Sequence, residues 1–164
     1  MPWDATEIFQ VDERIAPDAD PARNLTHLER SLPAAALERL RPMPVTANPP
    51  EAGAASYAEL LPDALDLVHL GLGPDGHTAS LVPGDPVLEI TQSRVALTGA
   101  EYHGRRRMTL TYPALSTARH LLWLVTGADK RHALAGLLAS EPTIPAGRVD
   151  ARDAAVLADE AAAG

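Results

Sequence analysis

The residues best suited to chemistry stand together in Leu70-Gly-Leu-Gly-Pro-Asp-Gly-His-Thr-Ala-Ser-Leu81. His77 is the one side chain in this stretch that both gives and takes a proton near neutral pH. Asp75, two residues before it, can fix the imidazole tautomer or meet a substrate hydroxyl. Gly71, Gly73 and Gly76 permit positive φ and close backbone approach. The amides that follow, with a helix expected to open at Thr78, suit an anion or a developing oxyanion. A lone glycine-rich turn is common in α/β proteins, so spacing leaves a structural turn and a catalytic one both open.

Two further constellations carry charge: Asp12, Glu13 and Arg14, and the run from Thr126 to Lys130. Lys130 stands near an expected helix start and reads as an anion contact or an ordinary exposed lysine. In the basic cluster Arg105, Arg106 and Arg107, the third begins a strand pattern and can point into a cleft, while the first two read as surface residues. His69 is mid-strand and reads as a packing histidine. A metal site of His69, Asp75 and His77 is disfavoured because strand alternation and the turn keep them from converging.

These residues need a frame. Residues 6–11, 65–70, 94–97, 107–110, 120–125 and 154–158 read as strands, from short β-rich or apolar runs bounded by turn residues. Helices are expected over 24–32 with Asn24 as N-cap, over 51–61, from 78, between 112 and 118, and over 129–138. Residues 37–40 read as a further helical turn, and 41–50, with four prolines, as a loop. The tail 160–164 reads as frayed. Strands alternating with helices imply an α/β fold whose mainly parallel sheet is covered on both faces. The three polar constellations then fall at carboxyl ends of strands, where open α/β sheets bind ligands.

Composition narrows the function. The 164 residues are 46% hydrophobic and only 4% aromatic, so one domain over 1–164 with an aliphatic core is expected. There is no cysteine, which removes thiolate metal sites, disulfides and cysteine nucleophiles and is compatible with the cytoplasm. A net charge of −8 argues against nucleic acid as partner. The first residues lack a signal-peptide pattern, and no apolar run reaches the length of a membrane span.

Residues 67–84 (LVHLGLGPDGHTASLVPG), 9–17 (FQVDERIAP) and 107–134 closely resemble the 6-phosphogluconolactonases. The superfamily also holds glucosamine-6-phosphate deaminases, but these have a tyrosine after Asp-Glu where Arg14 stands, and a different continuation of the turn from Thr78-Ala-Ser80. The resemblance implies a three-layer α/β/α sandwich with a Rossmann-like sheet. It also implies hydrolysis of 6-phospho-D-glucono-1,5-lactone in the oxidative pentose phosphate pathway, without metal or organic cofactor. In that pattern His77 is the general base, with Asp75 beside it. Asp12, Arg14, Gly73, Gly76, Thr78, Arg107 and Lys130 match substrate-binding positions, with Arg107 and Lys130 on the phosphate or another substrate anion.

Two departures from the family pattern stand out. Where it reads Asp-Ser-Asn, this chain has Ala22-Arg23-Asn24. The family's first strand–loop–helix unit, whose Gly/Ser/Thr-rich loop cradles the phosphate, has no counterpart before Trp3, so the sheet is expected to be N-terminally incomplete. Exposed apolar sheet surface, weak or absent activity, and self-association or a complementing chain are the expected consequences. The competing readings are a degenerate, non-catalytic phosphosugar-binding module and, less favoured, an isomerase or deaminase.

Overall fold

The computed structural model describes residues 2–150 and 152–164. Its strands form three small sheets. Ile8–Phe9 (β1) pairs in parallel with Leu40–Arg41 (β3). Asp12–Arg14 (β2), Val95–Leu97 (β5) and Arg107–Leu110 (β6) form an antiparallel sheet in the order β2-β6-β5. Leu67–Gly71 (β4), His120–Val125 (β7) and Ala154–Ala158 (β8) form a parallel sheet in the order β4-β7-β8. The α/β class and the parallel central sheet agree with the sequence reading. The pairings β1-β3, β4-β7 and β7-β8 are parallel, and the antiparallel ones are confined to β6, which lies between two strands that run against it.

Helices Asn24–Ser31 (α1), Ala34–Leu37 (α2), Pro50–Leu60 (α3), Tyr112–Leu115 (α4), Arg131–Leu138 (α5) and Glu160–Ala163 (α6) complete the frame. Alternation decides which side of the parallel sheet is buried. Val68, Leu70, Leu121, Trp123 and Val125 point into a contiguous core with Tyr57, Leu115, Ala133 and Leu134. Their neighbours Leu67, Leu124 and Leu157 are 57%, 47% and 56% exposed. The expectation of a sheet covered on both faces is thus corrected, since one face of β4-β7-β8 is open. His69 lies on that open face and is exposed, so it is no packing histidine. No described helix is long and apolar enough to cross a membrane.

Three local expectations fail for identifiable reasons. No helix opens at Thr78: Thr78 and Leu81 form an isolated antiparallel bridge, and Ala79 takes a positive φ of 49°. The Thr78 hydroxyl donates to the Gly71 carbonyl at 2.9 Å, a local bond that competes with a helical turn. Asn24 begins α1 rather than capping it. The carboxylate of Glu13 receives the free amides of Asn24 and Leu25, at 2.7 and 2.8 Å. The tail is not frayed: Asp159 caps α6 through the Ala162 amide at 2.8 Å, and Ala162 is buried.

Candidate active site

Register brings the candidate residues together. Gly71 pairs with Leu124 in the parallel sheet, so the turn after β4 and the turn after β7 leave the same sheet end. His77 stands in the first of these turns, Lys130 beyond the second. Asp12 on β2 faces Thr109 on β6, and Arg14 faces Arg107. Strand β6 thereby carries Arg107 beside the Asp-Glu-Arg segment.

The turn is built around the His77 ring. Asp75 Oδ1 lies 2.6 Å from His77 Nδ1 and also accepts the His77 amide at 3.1 Å. Gly73 N–H donates to the His77 carbonyl at 2.8 Å, closing the loop. A Cβ on Gly73 would sit 2.0 Å from His77 Nδ1 and 2.7 Å from Asp75 Oδ1. Only glycine leaves room there for the pair. Gly76 has φ +80°, and a Cβ would meet Ile144 at 2.6 Å. Burial lifts the Asp75 carboxyl, but the hydrogen bonds and charge of His77 and the Tyr102 hydroxyl outweigh it, and the carboxyl lies below its ordinary value. An ionised Asp75 accepting from Nδ1–H selects, for the neutral ring, the tautomer with its lone pair on Nε2, the one a general base needs.

Tyr102 belongs to this group, although nothing in the sequence reading assigned it a role. Its hydroxyl donates to Asp75 Oδ2 at 3.1 Å and lies 3.4 Å from His77 Nδ1. Its ring meets the His77 ring edge-on at 5.2 Å, and the Arg107 guanidinium sits over it, 5.0 Å from the centroid. Burial and the Asp75 charge raise the phenol above its ordinary value, so it stays a donor. The signal available in the sequence was a lone aromatic beside the turn His103-Gly104, where φ is 53° and 75°.

A second polar set lies next to it. Asp12 accepts Ser80 Oγ at 2.6 Å and Asn24 Nδ2 at 2.9 Å, with Arg107 Nη1 at 3.8 Å. Burial raises the Asp12 carboxyl, against the lowering effect of Ser80, Arg14 and Arg107. Arg107 is 6% exposed; burial and the nearby Arg14 lower its value, and its Nε has no hydrogen-bond partner among the described residues. A guanidinium remains cationic in such a setting. Arg14 donates to the Ala22 carbonyl at 2.9 Å and to Asn24 Oδ1.

Glu13, fully buried, also escaped the sequence reading. Besides the two α1 amides it accepts the Arg14 amide at 2.7 Å and Gln10 Nε2 at 3.0 Å. Arg23 Nε lies 3.5 Å away, so the residue that departs from the family pattern packs on this carboxylate. Such a count of donors offsets the cost of burying a charge. Thr78 is buried and its hydroxyl braces Gly71, which leaves no helix N-terminus for an anion. Lys130 is paired with Asp129 at 3.0 Å. A groove of about 660 Å³ lies elsewhere, between α3 and β5, with no histidine among its described lining residues.

The comparisons with known proteins agree with this architecture. The family model described as glucosamine-6-phosphate isomerases/6-phosphogluconolactonase matches residues 1–158. The 6-phosphogluconolactonase of Synechocystis sp. is 35% identical over 157 residues, covering 86% of this chain and 63% of the relative. That of Rattus norvegicus is 38% identical over 168 residues, covering 93% of this chain and 65% of the relative. The crystal structure of 6-phosphogluconolactonase from Thermotoga maritima superposes with a TM-score of 0.83 at 26% identity, over 97% of this chain and 75% of that one. A monomeric glucosamine-6-phosphate deaminase shares the fold, with a TM-score of 0.80 at 20% identity. The chain thus spans 63–65% of the length of these two curated relatives. With the matched model, the relatives' identity and the superposed fold all in accord, the chain belongs to the glucosamine-6-phosphate isomerase/6-phosphogluconolactonase family.

Proposed function

We propose that this chain carries the hydrolytic centre for 6-phospho-D-glucono-1,5-lactone, acting as a carboxylic ester hydrolase in the cytoplasm. The observation that carries the reading is the 2.6 Å contact of Asp75 with His77 Nδ1, which frees Nε2 to work as a base. In the proposed step Nε2 takes a proton from water as the water oxygen bonds to lactone C1. The tetrahedral oxyanion collapses, the bond from C1 to the ring oxygen breaks, and the imidazolium returns the proton to that oxygen. The product is the open-chain 6-phosphogluconate. General base catalysis of this kind contributes about 10²–10⁴-fold, and the step itself uses no metal or organic cofactor.

Arg107, Arg14 and Lys130 supply positive charge for the substrate's phosphate or developing oxyanion, Asp12 orients sugar hydroxyls, and Gly73 and Gly76 serve the substrate by making room for the His77–Asp75 pair and for Ile144. Thr78 contributes by holding the turn rather than by an anion contact. Self-association through the open sheet face is part of the same reading. The test follows lactone opening by NMR with two substrates, the phosphorylated lactone and unphosphorylated gluconolactone, and adds glucosamine 6-phosphate as a third. Acceleration of the phosphorylated lactone above the spontaneous rate, greater than that of gluconolactone, is expected. Deamination of glucosamine 6-phosphate with no lactone opening would overturn the assignment.

A further inference from the structure

The side chain of Tyr102 touches three groups of the site at once, on a loop that is itself fastened to one of them. Its hydroxyl reaches the carboxylate oxygen of Asp75 that His77 does not use, so the carboxylate is held at both ends: Oδ1 by His77 at 2.6 Å and Oδ2 by Tyr102 at 3.1 Å. A carboxylate held at one oxygen can swing about its side-chain torsions; held at two, it presents Oδ1 to the imidazole in one orientation. The Tyr102 ring packs on the His77 ring edge-on. Its other contacts set where it stands. Arg107 Nη2 donates to the Tyr102 carbonyl at 3.3 Å while the guanidinium covers the ring, and Tyr102 N–H donates to the Arg105 carbonyl at 3.0 Å. Arg107 is buried on the central strand of the antiparallel sheet, so the tyrosine is referred to a rigid element.

We propose that Tyr102 is a positioning residue for the base: it fixes the Asp75 carboxylate, and through it the His77 ring, against the sheet that carries Arg107. This rests on His77 serving as the base of the proposed reaction. Tyr102 touches the carboxylate and the imidazole and acts through them; it has no role in bond breaking.

The test compares the wild type with Tyr102→Phe, Asp75→Asn and the double variant, in the full chain. Removing one neutral-to-charged hydrogen bond should lower kcat on the phosphorylated lactone by about three- to tenfold, with KM changed by less than about twofold. Because the effect passes through Asp75, Tyr102→Phe should change kcat little once Asp75 is asparagine. Equal fold-losses in both backgrounds, or an unchanged kcat in Tyr102→Phe, would overturn the proposal. A second readout needs no turnover. With the His77 ring labelled with ¹⁵N, the Nδ1–H proton should be visible in the wild type, exchange faster with water in Tyr102→Phe, and be lost in Asp75→Asn. Unaltered exchange in Tyr102→Phe would contradict the role. A wild type that shows this proton behaviour but opens no lactone would sink the proposed reaction and leave the positioning role standing.

Discussion

At the scale of single residues, two aspartates sit in opposite electrostatic situations. Asp12 is raised above the ordinary aspartate value of 3.8 by burial, while Asp75 is held below it, His77 and Tyr102 outweighing burial. The signs of their pH effects therefore differ. Between 3.8 and the folded value of Asp12, the folded chain binds more protons than the unfolded one, so this group's contribution falls as pH rises. Asp75 contributes stability that is present above 3.8 and lost as pH falls through its folded value. In urea unfolding at a series of pH values, Asp12→Asn should gain on the wild type as pH rises through the first window. Asp75→Asn should lose ground as pH rises through the second. Profiles that run parallel for the two variants would contradict the opposite signs of these environments. Asp75 and His77 were legible in the sequence because they lie two residues apart in one turn. Glu13 was not, since its meaning lies in four donors from Gln10, Arg14, Asn24 and Leu25 that only folding assembles. Tyr102 was hidden for the same reason: it is 25 residues from His77 in sequence.

At the scale of elements, strand β6 does more than the sequence pattern revealed. All four of its side chains are buried, and Thr109 ties it to the site. Thr109 Oγ accepts the Ser80 amide at 3.1 Å and donates to the Leu110 carbonyl at 3.0 Å, while Ser80 itself holds Asp12. Thr109→Val keeps the shape but leaves the fully buried Ser80 amide unpaired, at a cost of about 1–3 kcal/mol. Chemical denaturation should register that loss, and a loss of no more than about 0.3 kcal/mol would show the bond to be dispensable. The strands 107–110, 120–125 and 154–158 were readable to the residue, because short apolar, β-favouring runs end at turn or charged residues there. The stretch 6–11 was overextended: only Ile8 and Phe9 find a partner strand, whose Leu40 had read as the end of a helical turn and Arg41 as the start of a loop. The helix expected at Thr78 failed because hydroxyl bonds to backbone and a left-handed Ala79 close the chain into a bridge instead.

At the scale of the whole molecule, the parallel sheet is sealed on one side and open on the other. Leu67, Leu124 and Leu157 stand on the open side, with β4 and β8 as outer strands. An exposed apolar face of this kind favours association. Light scattering should find the wild type self-associated, and Leu124→Lys should shift it toward monomer. Because lysine makes the net charge of −8 less negative, weaker association could not be ascribed to added charge repulsion. A monodisperse wild-type monomer would contradict this. The overall class was legible because strands and helices alternate along the chain; the open face was expected from the family resemblance and not from the strand patterns, whose near-continuous apolar runs such as 120–125 read as covered on both sides.

The proposed reaction turns on His77, held by Asp75 in a glycine turn, as the base for lactone opening. Its most direct measurement is acid release in a pH-stat with the phosphorylated lactone, comparing the chain with its His77→Ala variant and with buffer alone. The wild type should accelerate opening above the spontaneous rate, with kcat/KM below about 10⁴ M⁻¹s⁻¹, and the variant, its fold unchanged, should lose about 10²-fold or more of that acceleration. Equal acceleration by wild type and variant, or none by the wild type, would contradict that role of His77.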